Sequence, residues 1–180
     1  NGIYTTGSLQ QSVYLNRQEI GTRAVIVGSE HVSYSALITL KHAGVKTVAM
    51  IEEGEFTKSY KAVELVTRAF YRYSFYTNSK LIKINGQNRV NSILIKQREK
   101  LIEIKCDTLI FTGNWIPDNE LARLGNIECD PITKSPKVDN KFETSRKGVY
   151  AVGNLLLPIK SADQCVIETR KLYIEEFSNF

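Results

Sequence analysis

Arg23-Ala24-Val25-Ile26-Val27-Gly28-Ser29-Glu30-His31-Val32-Ser33 is the stretch on which the fold of this 180-residue chain turns. Its first half is an apolar, largely β-branched run between Gly21 and Gly28, which reads as a buried strand. From Val32 to His42 the apolar positions fall at Val32, Ala36, Leu37 and Leu40, a helical spacing, and Gly44 closes the helix. Thr47-Val48-Ala49-Met50-Ile51 repeats the buried-strand pattern and ends in Glu52-Glu53. Strand, helix and strand within roughly thirty residues make a βαβ unit, with parallel strands and a right-handed crossover.

Outward from that unit, Lys61 to Tyr71 has a second helical pattern through Val63, Leu65, Val66, Ala69 and Phe70. The period then changes. Leu81–Ile84, Val90–Lys96 and Leu101–Lys105 read as short strands, joined by turns at Asn85-Gly86-Gln87-Asn88 and Gln97-Arg98-Glu99-Lys100, an antiparallel meander. Asp107–Phe111 is another buried strand, running into Thr112-Gly113. Asn1 to Gln18 is polar and mixed and reads as a connecting segment. Beyond Gly113 three prolines, Pro117, Pro131 and Pro136, loosen the texture. A short helix is expected over Asn119–Leu124, a strand over Gly148–Gly153, and a terminal helix over Ser161–Phe177 with Val166, Ile167, Leu172, Tyr173 and Phe177 on its apolar positions. The fold class is α/β.

Composition narrows the functional classes. With 42% hydrophobic and 24% charged residues the chain is globular and not disordered. No apolar run is long enough for a membrane helix, so no membrane partner is expected. The net charge of +5 is spread along the chain and interleaved with acids, unlike a nucleic-acid stripe. The aromatic and basic run Phe70–Tyr76 imitates one, yet fits a helix end entering a strand, and no nucleic acid is expected. Cys106, Cys129 and Cys165 are far apart, without a C-x-x-C pair, so neither a redox dithiol nor a metal site is written locally. Three free cysteines suit a reducing, cytoplasmic compartment. The chain opens on Asn1 rather than Met, which suggests truncation or processing.

The chemistry is expected at the turn after Val27. A strand that ends in glycine and enters a helix directs backbone N–H groups and the positive end of the helix dipole at a dinucleotide diphosphate. The fingerprint for such a turn is G-x-G-x-x-G or A, with an acid about twenty residues on that holds a ribose hydroxyl. Here Gly28-Ser29-Glu30-His31-Val32-Ser33 supplies the first glycine and, in Ser33, a small residue for the helix–strand contact. Glu52 stands at the ribose position and favours NAD over NADP, because an acid there repels a 2′-phosphate. The middle glycine is Glu30. Two like charges about 4 Å apart cost about 4 kcal/mol at a surface-like dielectric, comparable with about a thousandfold loss of affinity. A carboxylate in a first helical turn is itself favoured by about 0.3–1 kcal/mol. Glu30 is therefore expected to fill the anion site from within and leave the nucleotide weakly held or absent. The alternative is that Glu30 swings outward and a cofactor binds.

Four segments together carry a resemblance. They are Gly2–Gln11; Ala24–Gly28 with Glu30-His31-Val32 and Ser35-Ala36; Cys106–Gly113 with Pro117; and Thr144-Ser145 through Gly148–Asn154. In this order and spacing the chain resembles, from about Gly2 to Phe177, the two-dinucleotide-domain flavoproteins of the pyridine nucleotide–disulfide oxidoreductase superfamily. Within that group it looks most like flavoprotein subunits of amino-acid and opine-type dehydrogenases and cyanide-forming enzymes. The resemblance implies a Rossmann-like NAD(P)-type βαβ domain with an antiparallel meander at 19–113. It also implies a linker from a missing flavin-domain half at 1–18 and the C-terminal part of the FAD domain at 114–180. It places Gly113 at the crossover back to the flavin domain, and Gly153 and Asn154 at the ribityl chain. Asn154 replaces the family's aspartate and Glu168-Thr169 its Glu-Gly pair. Since the main FAD fingerprint would lie upstream of Gly28, this chain by itself is not expected to hold FAD.

The cofactor-binding candidates are thus Gly28, Ser29, Glu30, Ser33, Glu52, Gly113, Gly153 and Asn154, with no catalytic and no metal-ligating residue. His31 and His42 read as helix-surface or capping residues, Trp115 as a packing residue and Glu53 as a charged strand end. The expected function is a fragment of an FAD/NAD(P)-dependent oxidoreductase, with electrons passing through FAD in the intact enzyme and other oxidoreductase subunits as partners. The alternative is a non-catalytic assembly or partner-binding domain whose nucleotide turn Glu30 blocks.

Overall fold

The structure is a computed structural model describing residues 1–113, 115–158 and 160–177, the side chains of 175–177 excepted. It forms two compact units, Asn1–Gly113 and Asn114–Phe180.

In the first unit the strands are β1 (Ile3–Thr5), β2 (Arg23–Val27), β3 (Lys46–Ile51), β4 (Ser74–Tyr76), β5 (Ser79–Asn85), β6 (Ser92–Gln97), β7 (Lys100–Lys105) and β8 (Thr108–Phe111). The helices are α1 (Thr6–Gln10), α2 (His31–His42) and α3 (Lys61–Tyr71). A five-stranded sheet runs β1-β8-β2-β3-β4, parallel throughout, and β5-β6-β7 form a separate antiparallel sheet. The expected βαβ unit is β2-α2-β3, with Ile26 beside Met50 and Val27 beside Ile51.

The central strands are apolar on both sides because both faces are covered. Ala24, Ile26, Met50 and Ile110 join Leu9, Tyr34, Leu37 and Leu40 in one core, on the helical side. Their alternating neighbours Val25, Ala49, Ile51 and Leu109 join Val90, Ile93 and Ile95 in a second core, under the antiparallel sheet. Side chains of period two therefore feed two cores from one sheet, which is why β2 reads as a continuous apolar run.

The segment read as a connector, Asn1 to Gln18, is regular structure instead. Ile3 pairs with Leu109 on β8, and Thr5 caps α1 in a reciprocal arrangement with Ser8. Leu9 is fully buried, and a π-type turn follows at Gln11–Leu15. A three-residue strand has too few positions to show a period, and its stability comes from a neighbour more than a hundred residues away. Phe70–Tyr76 is a helix end entering a strand: Arg72 takes a left-handed conformation after α3, and Tyr73 is buried just before β4.

In the second unit, α4 (Glu120–Leu124) and α5 (Ala162–Phe177) flank irregular chain stitched by isolated bridges Cys129–Pro136, Val138–Thr144 and Glu143–Tyr150. The strand expected at Gly148–Gly153 is reduced to the single bridge at Tyr150. A strand is a ladder shared with a neighbour, and here the ladder is short: Phe142–Thr144 runs antiparallel beside Val149–Ala151, with Thr144 N–H donating to Val149 O and Ala151 N–H to Phe142 O. Trp115, read as a packing residue, is 43% exposed. Positions 114, 159 and 178–180 of the expected flavin-domain segment, and the Phe177 side chain, lie outside the described residues.

Candidate functional site

The turn after β2 lies where a diphosphate-receiving bend would stand, between a parallel strand and its helix. Gly28 keeps the ladder through its N–H to Ile51 O, then turns at φ +116°. A Cβ there would meet Thr112 Oγ1 and stand 2.5 Å from Glu30 Oε2, so glycine is required by both conformation and space.

Glu30 is the first departure with a visible consequence. Its backbone is extended and precedes the first residue of α2. Its side chain folds back over the turn and is 8% exposed. Glu30 Oε2 stands 3.0 Å from Thr112 Oγ1 and 3.4 Å from Ser33 Oγ. Thr112 Oγ1 also lies 2.7 Å from Ser33 Oγ and 3.1 Å from Val27 O. A hydroxyl carries one proton, so these oxygens share donors rather than each having its own. A Cβ on Gly113 would come within 3.1 Å of Glu30 Oε1, which places Gly113 at the edge of the same pocket.

The acid at the end of β3 is also used internally. Glu52 is 1% exposed; its Oε2 accepts from Ser29 Oγ at 2.6 Å and its Oε1 from Gly54 N at 2.9 Å. The loop between β3 and α3 then crosses the turn. Lys58 N donates to Ser29 Oγ at 3.0 Å, and Thr57 Oγ1 donates to Ser29 O at 3.2 Å and lies 3.0 Å from Tyr34 OH. Ser59 Oγ is 2.9 Å from Nδ1 of His31, an exposed residue whose ring also packs beside Tyr60. Lys58 Nζ reaches both acids, 3.5 Å from Glu30 Oε1 and 3.3 Å from Glu52 Oε1. Partial burial works against the Lys58 charge, but Glu52 and Glu30 outweigh it and hold its pKa above the ordinary lysine value.

The turn thus brings Gly28, Ser29, Glu30, Ser33, Glu52 and Gly113 together, and adds Thr112, Thr57 and Lys58, which the sequence reading missed. The available signal for Lys58 was electrostatic: two carboxylates directed at one turn need a nearby cation. With two carboxylates and one ammonium, the site carries a net negative charge and its hydroxyls are engaged. The residues as they stand do not fit a dinucleotide diphosphate.

Gly153 and Asn154 belong to the second unit and form a separate arrangement. Gly153 takes φ +69°, and its N–H donates to Glu168 Oε2 at 2.8 Å. Lys160 Nζ pairs with the other Glu168 oxygen, and that hydrogen bond holds the Glu168 carboxyl below its usual range. Asn154 Oδ1 accepts from Lys160 N at 2.7 Å. The Gly153 amide and the Asn154 side chain, expected at a ribityl group, are engaged within the unit in this structure.

No family model matches the chain. Over 102 residues, 56% of its length, the chain is 26% identical to a ferredoxin–NADP reductase of Picrophilus torridus, covering 30% of that protein. Among solved structures it is similar to the thioredoxin reductase of T. acidophilum, with TM-score 0.77 and 21% identity over 99% of this chain and 57% of that one. It is also similar to an FAD-dependent pyridine nucleotide-disulphide oxidoreductase from Desulfovibrio vulgaris, with TM-score 0.66 and 18% identity over 95% of this chain and 47% of that one. The thioredoxin reductase of Lactococcus lactis gives TM-score 0.76 at 13% identity, over 97% and 56% of the two chains. The chain spans about a third of the curated relative and about half of these solved chains. Its fold, a parallel sheet with a separate antiparallel sheet, is the one these reductases share with it.

Proposed function

We infer that this chain is a section of an FAD-dependent oxidoreductase of the two-dinucleotide-domain kind, in which electrons pass through FAD in the intact enzyme. The observation that carries the reading is the β2–Gly28–α2–β3 unit in a sheet ordered β1-β8-β2-β3-β4 beside an antiparallel meander, matched over nearly the whole chain by a thioredoxin reductase. FAD supplies the redox chemistry when bound, and the protein's part is to hold and orient it. Gly153 and Asn154 are assigned to the ribityl end of the flavin. The Gly153 amide and Asn154 are engaged by Glu168 and Lys160, and FAD is assigned to the intact protein rather than to this chain by itself. Gly28, Ser29, Glu30, Ser33, Glu52 and Gly113 are assigned to the second, NAD-type turn, which in this chain is closed by Glu30. NAD is accordingly a weak ligand here or none. Other oxidoreductase subunits are the assigned partners and the cytoplasm the assigned compartment; among the described residues no helix is long and apolar enough to cross a membrane.

One observation favours a second reading. A Glu30 side chain only 8% exposed over the glycine bend suits a domain kept for assembly or partner binding. The visible spectrum of the natural intact protein separates the two. Flavin absorption bands that bleach on reduction are expected under the first reading. A colourless intact protein that copurifies with another subunit would replace it with the second.

A further inference from the structure

We propose that Lys58 determines what the glycine turn accepts: paired with Glu30 and Glu52 it closes the turn to a nucleoside diphosphate, and once Glu30 is removed its ammonium becomes the diphosphate's partner. The proposal rests on reading this bend as a dinucleotide-type turn and assigns a binding role to a residue outside any glycine fingerprint. Three relationships carry it.

Lys58 is placed by contacts that do not involve Glu30. Its own N–H is bonded to Ser29 Oγ, and its neighbours Thr57 and Ser59 are tied to Ser29 O and His31 Nδ1. Loss of the Glu30 carboxylate therefore leaves the lysine backbone at the turn. Secondly, the two acids differ from the lysine in exposure. The Glu30 and Glu52 side chains are 8% and 1% exposed, the Lys58 side chain 56%. Two buried carboxylates need a counter-ion, and the lysine supplies it from the solvent side, where a ligand phosphate would arrive. Thirdly, the donors around Glu30 Oε2, the hydroxyls of Ser33 and Thr112, suit phosphate oxygens as well as carboxylate oxygens. Glu30→Gly therefore removes one negative charge and the obstructing side chain while leaving two hydroxyls and an ammonium whose remaining acidic partner is Glu52. Lys58→Ala does the reverse, leaving two uncompensated acids that repel a diphosphate.

The test is a set of titrations of the 180-residue chain and its variants with NADH, ADP and adenosine, read by calorimetry. The unchanged chain and Lys58→Ala are expected to show no saturable NADH or ADP binding. Glu30→Gly is expected to bind both, with affinity falling as salt rises. Glu30→Gly with Lys58→Ala should bind ADP about tenfold or more weakly than Glu30→Gly, with adenosine unaffected, and Glu30→Gly with Lys58→Arg should restore ADP binding. Circular dichroism confirms that each variant is folded; should Lys58→Ala unfold, Lys58→Gln takes its place. Equal ADP affinity with and without Lys58 overturns the role of the lysine while leaving the nucleotide-turn reading intact. Absence of NADH and ADP binding to a folded Glu30→Gly overturns the nucleotide-turn reading itself. Tight NADH binding by the unchanged chain overturns the closure.

Discussion

Ser29 Oγ donates to Glu52 Oε2 at 2.6 Å, a buried hydrogen bond that ties the turn after β2 to the end of β3. Ser29 is fully buried and its hydroxyl also accepts from Lys58 N. Ser29→Ala leaves a buried carboxylate and a loop N–H short of a partner, at a cost of about 1–3 kcal/mol. Ser74→Ala, at an exposed strand position, is expected to stay within about 0.5 kcal/mol. Urea midpoints measure both; equal midpoints would remove the bond from the account of how the turn is held.

Gly28 and Gly44 both have positive φ, but a Cβ on Gly28 meets Thr112 and Glu30, whereas one on Gly44 meets nothing within 4 Å. Gly28→Ala therefore adds a steric clash to backbone strain and is expected to cost about 2–4 kcal/mol. Gly44→Ala carries the conformational part, about 1 kcal/mol. Thermal melts of the two variants should differ in that order.

Acid should loosen the N-terminal end of β2 through Asp107. Its oxygens accept from Thr22 N, Arg23 N, Thr22 Oγ1 and Thr108 Oγ1. Partial burial opposes the charge, yet these donors hold the carboxyl down to about 2. The folded pKa lies below the unfolded value of about 3.9, so the contribution is complete above that value and is lost as pH falls towards 2. After discounting for partial exposure it amounts to about 1–2 kcal/mol near neutrality. Asp107→Asn should be less stable than the parent at pH 6, and the gap should narrow by pH 2.5. A gap that holds constant with pH would refute the assignment.

The three thiols should react unequally. Cys106 is 3% exposed, and burial, with Asp107 beside it, pushes its pKa up to about 11. Cys129 and Cys165 are half-buried and free. The thiolate is the reacting species, so maleimide at pH 8 should label Cys129 and Cys165 first. Mass mapping of a time course checks this; early labelling of Cys106 would contradict the packing around it.

Much of the first unit was legible in the residues. The runs at Val25, Met50 and Leu109, the helical spacings of α2 and α3, and the meander of β5 to β7 all follow from local period and local turn residues. Such signals are short-ranged, and they also located the glycine bend. The reading failed where stability comes from a distant neighbour. Ile3–Thr5 is a strand because β8 lies beside it, and Gly148–Gly153 makes one bridge because its antiparallel pairing with Phe142–Thr144 extends over only a few residues.

The sequence by itself determined that Gly28 ends a strand, that a helix follows, and that Glu30 replaces a residue without a side chain. Which way Glu30 points was decided by tertiary structure. Its carboxylate meets a hydroxyl from the end of β8, 82 residues further on, and an ammonium from the loop after β3. Period and composition report how much of a side chain is buried, but a rotamer is selected by the partners that folding brings within a few ångströms of it.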